Sequence, residues 1–302
     1  MENKTKSKFT FEAIILAAAL VLTLPLRTLQ HLKSIEEYTG FYKKLNVGIF
    51  IYIAILAVAS VYLLASAFMS RKNISLETKA KKLPGCGVLS GVTAIAVLWS
   101  AIKDFSLKDV DITVYFVSST AAGKMTDIIL SMGLIFGILS AVFFGVLAIS
   151  FISGKAPDKL KILSLSPVMW TIMRIIYKIT ITVSYLRVSD LALTMISTSF
   201  FILFFMAFAQ VNSGVNGEGC EWRIVGFGLA GALVALNCFI PRAVLVLTGK
   251  QELMSVLTYA DVSDLAISLF AIATVLTRIV PKISNVIEEP ANTEEENKSQ
   301  VE

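Results

Sequence analysis

Apolar residues along the chain fall into eight runs, at about 11–27, 47–69, 87–104, 127–152, 165–186, 190–211, 224–247 and 264–280, separated by short polar stretches. A helix crossing the hydrocarbon core of a bilayer needs roughly 17–25 such residues. The pattern predicts an all-α fold: a polytopic integral membrane helical bundle of about eight transmembrane helices, one domain over 1–280. Beyond it, Glu288, Glu289, Glu294, Glu295, Glu296 and Glu302 make 281–302 read as a disordered acidic cytoplasmic tail.

Two stretches repeat almost word for word. Ser184-Tyr185-Leu186-Arg187-Val188-Ser189-Asp190-Leu191-Ala192 and Thr258-Tyr259-Ala260-Asp261-Val262-Ser263-Asp264-Leu265-Ala266 each open an apolar run, and a fainter echo, Met125-Thr126-Asp127, opens the fourth. The bundle therefore reads as tandem antiparallel hairpins, a form that transporters build around a midplane site. Two compatible readings of the Ser/Thr-Asp pairs are open. They cap helix starts, where unpaired amides and the helix dipole favour an acceptor, or Asp127, Asp190, Asp261 and Asp264 are outer carboxylates around a mouth.

Charge orients the bundle. Lys4, Lys6 and Lys8 precede the first span, and alternation then leaves fifteen basic residues on the cytoplasmic side against nine outside. Both termini are expected in the cytoplasm, with the first span kept as an uncleaved anchor. Composition agrees with the membrane reading, at 56% hydrophobic, 16% charged and a mean hydropathy of +0.75. The net charge of +5 reflects topology, because no basic cluster on a soluble face offers itself to nucleic acid.

The fifth span holds the most unusual chemistry. Thr171, Arg174, Lys178, Thr182 and Tyr185 are spaced 3, 4, 4 and 3, so they share one face of a helix. A central Arg or Lys costs about 2.5–3.5 kcal/mol to insert, which turns that face toward the bundle interior or a wet cavity. No acid lies at mid-span; the nearest candidates, Asp190 and Asp264 from above and Glu12 from the inner end of the first span, are expected about two turns away or more. Two bases without an acid at their level invite a small anionic solute, for which Arg offers a two-pronged fork. The alternative is a structural network in which Arg174 and Lys178 bond carbonyls freed near Pro167 or Pro241, Gln210, Asn237 and Asp190.

Other residues add less. Gly133, Gly137, Ala141 and Gly145, and Gly228-Ala232 with Gly231-Ala235, form small ridges for close helix packing. Asn237 beside Pro241 and Arg242 marks either a local break with ion-coordinating carbonyls or a plain kink. His31, the one histidine, reads as solvated and makes no metal site alone. Cys86, Cys220 and Cys238 have no disulfide or metal-ligand spacing. No hydrolase, metalloprotease or phosphate-binding motif occurs, so the chain is not expected to be an enzyme or to carry a cofactor.

The Glu36-Glu37-Tyr38-Thr39-Gly40-Phe41-Tyr42 segment, Pro167-x-x-Trp170-x-x-x-Arg174 and Val188-Ser189-Asp190 resemble a group of uncharacterised bacterial multi-pass membrane proteins. The resemblance implies a fold and a membrane location, and no activity. The leading expectation is a carrier or uptake component for a small anionic solute in a bacterial plasma membrane. Arg174 and Lys178, with Thr171, Thr182, Tyr185 and Asn237 near them, would bind the solute, and Asp190 and Asp264 would shape the outer mouth. The rival is a non-transporting sensor or assembly subunit with a membrane or cytoplasmic protein partner. Paired cavities reaching Arg174 favour the first; a dry, fully paired Arg174 favours the second.

Overall fold

The computed structural model describes residues 2–34, 42–43, 46–71, 74–76, 82–106, 120–154, 161–181, 188–213, 220–250 and 259–281. Of these, the side chains of 2–10, 74–76, 120–124, 181, 188–189 and 278–281 are left out of account. The acidic tail beyond 281, Thr182 and Tyr185 lie outside the described residues.

Each apolar run is a helix: α1 Glu2–Leu29, α2 Val47–Met69, α3 Pro84–Ser106, α4 Thr120–Ser153, α5 Ser166–Ile181, α6 Val188–Asn212, α7 Glu221–Leu247 and α8 Val262–Arg278. Six of them are long and apolar enough to cross a membrane. The exceptions are α5, with 16 residues, and α8, with 17. At 1.5 Å per residue α8 spans about 26 Å, short of a hydrocarbon core of about 30 Å, while residues 182–187, after α5, lie outside the described ones. These two helices also carry Arg174, Lys178 and Asp264.

Six helices close a ring, each packed on the next in the order α3, α4, α5, α6, α7, α8 and back to α3. The α1–α2 hairpin packs outside the ring, both helices against α7. That makes α7 the hub: 83% of its most apolar window is buried, against at most 44% in any other long helix. Its sequence suits the place, because Gly228 and Gly231 meet Phe204 and Phe201 of α6 at distances where a methyl group would already crowd the rings. Gly137 likewise admits Trp170 beside α4. Gly145 faces open space, so the ridge on α4 is used over only part of its length.

Odd-numbered helices run up from one face of the bundle, its base, and even-numbered helices return from the opposite top. In the base half the ring is filled by aromatic rings. Phe144 lies edge-on to Phe143, Phe205 and Phe270 at centroid distances of 5.5, 5.8 and 5.3 Å, and Phe204 and Phe208 extend the cluster. None of the six is more than 2% exposed. Outward-facing residues such as Val21, Val58, Ile95, Trp99 and Ile149 are more than 60% exposed, as lipid contact requires. Across the base, one short antiparallel ladder joins Ile74–Leu76, after α2, to Ile279–Pro281, after α8.

Of the two readings of Asn237 beside Pro241 the local break is not the one found, and one expectation, on Asp127, needs correction. The α7 helix continues unbroken past Pro241, with Asn237 donating to the Leu233 carbonyl at 2.9 Å, so no interruption forms for an ion. The α4 helix begins at Thr120, which puts Thr126 and Asp127 two turns inside it rather than at its start.

Candidate functional site

In the top half the ring is filled by charge. Arg174 of α5, only 6% exposed, donates from Nη2 to Asp261, from Nη1 to Asp264 and Ser263 at 3.3 Å each, and sets Nε 3.7 Å from Asp104 of α3. Its guanidinium also lies 5.0 Å over the Trp170 ring, one turn earlier. The expected absence of an acid at this level is overturned, for three carboxylates converge on Arg174. Asp261 is the cap of α8: its Oδ1 accepts from the Ser263 amide at 2.9 Å and its Oδ2 from Ser100 at 2.8 Å. Asp264 is thereby released from capping to face Arg174. Tyr259 donates to Asp104 at 2.7 Å, with the exposed Lys103 ammonium 3.7 Å over its ring.

The first copy of the repeat builds a second cluster. Asp190 of α6, 4% exposed, meets Arg27 of α1 at 2.5 Å, Arg242 of α7 at 3.2 Å and His31 at 3.3 Å. Arg242 also reaches Thr194 at 2.8 Å, and Arg27 reaches Tyr42 at 2.9 Å and Gln30 at 3.2 Å. His31 is therefore buried against a carboxylate, contrary to the expectation of a solvated ring.

In both copies the aspartate carbonyl accepts a hydroxyl four residues on, Thr194 at 2.8 Å and Ser268 at 2.6 Å. Orientation agrees and depth does not. Phe270 lies six residues below Asp264, about 9 Å, while Phe204–Phe208, which pack on Phe270, lie 14–18 residues below Asp190, about 21–27 Å. The second copy therefore starts roughly 12–18 Å nearer the base, which is why α8 is short.

Lys178 and Arg242 bring the clusters together. Both line one cavity with Asp104, Arg174, Tyr177, Tyr259, Asp261 and Asp264, and its volume is about 10 Å³. That admits about one water. The buried Tyr177 hydroxyl has no hydrogen-bond partner among the described residues, and a water there would satisfy it.

Of the residues singled out from sequence, Arg174, Lys178 and Asp264 share this cavity, and Asp190 joins through Arg242. Thr171 is turned to its own helix, donating to Pro167 at 2.8 Å, and Asn237 is buried within α7 away from the cavity lining. Sequence reasoning missed Asp104, Arg27 and Arg242 as partners. Their signal was position: each is a charge at the top end of an odd-numbered helix.

The eight charges in the two clusters, Asp104 and Lys178 half-buried and the others buried, balance formally: Arg27, Arg174, Lys178 and Arg242 against Asp104, Asp190, Asp261 and Asp264. No family model matches the chain, and no curated protein or solved structure is similar to it.

Proposed function

We propose that the chain is an eight-crossing protein of a bacterial plasma membrane, with both termini cytoplasmic, whose role is non-transporting: a sensor or assembly subunit whose polar core fixes helix packing. One observation carries the reading. The bases of the two clusters are matched by acids, and the cavity between them holds about 10 Å³, far below the 300–1,000 Å³ usual for small-molecule sites. A site for an anionic solute needs a base left without an acid and room beside it.

A second reading, carriage of a small anionic solute, draws support from the convergence of Arg174, Lys178 and Arg242 on one cavity. It requires Asp261 and Asp264 to withdraw so that the solute takes their place. Neither reading assigns catalysis or a cofactor to the chain.

Thermal unfolding of the purified protein in neutral detergent separates them. Chloride, phosphate, acetate, succinate and citrate at matched ionic strength should leave the melting temperature unchanged. A ligand present at 100 times its Kd adds about 2.7 kcal/mol, so stabilisation by one anion, lost on Arg174→Lys, would establish the carrier reading instead.

A further inference from the structure

A second cavity lies apart from the charge network, at the top of the α1–α2 hairpin. It is a groove of about 760 Å³ between the end of α1 and the start of α2. Leu26, Leu29 and Ile49 supply apolar lining, while Lys33 and Lys43 supply charge. Both lysines are exposed, and the hydrogen bond from the Lys43 amide to the Ser34 carbonyl, 2.8 Å, fixes their backbones side by side. Among the described lining residues there is no acid. Residues 30–49 as a whole carry Lys33, Lys43 and Lys44 against Glu36 and Glu37, so the connection is net basic.

Position decides what chemistry would fit. The groove sits where two apolar helices end and begin, at the level of a membrane surface. Its walls continue into outward-facing Leu29, Val47 and Phe50, which are 50, 69 and 58% exposed. An occupant must therefore join an apolar portion, continuous with the lipid phase, to an anionic head at the lysines. Gly48 leaves space beside the groove, since a methyl group there would meet nothing within 4 Å.

We infer that this groove is a binding site for an anionic phospholipid, with the phosphate at Lys33 and Lys43 and an acyl chain along Leu26, Leu29 and Ile49. The inference does not rest on the reading of the charge network. A lysine beside an anionic headgroup favours it by about fivefold. Two lysines together give about 25-fold over a zwitterionic lipid of the same chains.

The test is native mass spectrometry of the full-length protein in neutral detergent, with phosphatidylglycerol and phosphatidylcholine of identical acyl chains titrated in turn. The wild type should retain phosphatidylglycerol about 25-fold more strongly, and Lys33→Gln/Lys43→Gln should bind both lipids alike. Both side chains are exposed, so the double variant should melt with the wild type. Equal retention of the two lipids by the wild type would overturn the assignment, as would a variant that keeps the preference. Inorganic phosphate at equal concentration should not displace the lipid; displacement would make this a site for free phosphate and overturn the lipid commitment.

Discussion

Replacing Arg174 by Gln leaves the buried network with one negative charge too many. At 3.3 Å from Asp264 and 3.7 Å from Asp104, Arg174 contributes about 5 and 4 kcal/mol of Coulomb energy at an effective dielectric of 20. Those energies are not lost in full, because the variant can neutralise a stranded carboxylate by taking up a proton. For an aspartate that ordinarily titrates near 3.9, this costs about 4 kcal/mol at pH 7. The figure falls within the roughly 3–5 kcal/mol seen when a buried ion pair loses one member. Because the loss is a protonation cost, it shrinks by about 1.4 kcal/mol per pH unit, to about 1.5 kcal/mol at pH 5. The sign follows from linkage. Between pH 4 and 7 the folded variant holds one proton more than its unfolded chain, so acid stabilises it relative to the wild type. Equilibrium unfolding in mixed SDS micelles at pH 5, 6 and 7 measures the difference, and Arg174→Gln/Asp264→Asn should recover most of it by restoring charge balance. A loss under about 1 kcal/mol at pH 7, or one that is the same at pH 5, refutes the network account.

Asp190→Asn leaves Arg27 and Arg242 facing each other and should cost about 3–5 kcal/mol; acid should give no rescue, and adding Arg27→Gln should restore part of the loss in the same unfolding assay. Phe144→Ala opens the aromatic cluster and should cost about 3–5 kcal/mol with no dependence on pH. For topology, a cysteine at position 4 or 298 should resist an impermeant thiol reagent in intact cells while one at 40 reacts; Cys86, Cys220 and Cys238 are buried and give little background. Labelling at 298 would remove the eight-crossing arrangement.

Helices were legible because hydropathy is a property of each segment alone. All eight runs appear as helices, and the 47–69 span coincides with α2 to the residue. The charged site was only half legible. Arg174 and Lys178 stood out as bases in an apolar run, but the acids that meet Arg174 come from α3 and from the stretch just before and at the start of α8, 70 to 90 residues away in sequence. Level could not be read from the repeat either. Identical Val-Ser-Asp words suggest identical depth, yet α8 starts lower, with Asp261 accepting from the Ser263 amide at its first turn. His31 misled for a related reason: an isolated histidine in a polar stretch carries no sign that Asp190, 159 residues later, will cover it.

The order of the helices in the chain sets the order in which charges meet. Asp104 enters the membrane before Arg174, whereas Asp261 follows it by 87 residues. At about 5–20 residues per second, that is an interval of about 4–17 s of synthesis. Throughout it, Asp104 is the one member of Arg174's three acids already made. The hub is late as well, since α7 supplies Arg242 only after Arg27 and Asp190 have both been made. The ring therefore cannot close until its last helix brings Asp261 and Asp264 to an Arg174 made some 87 residues earlier.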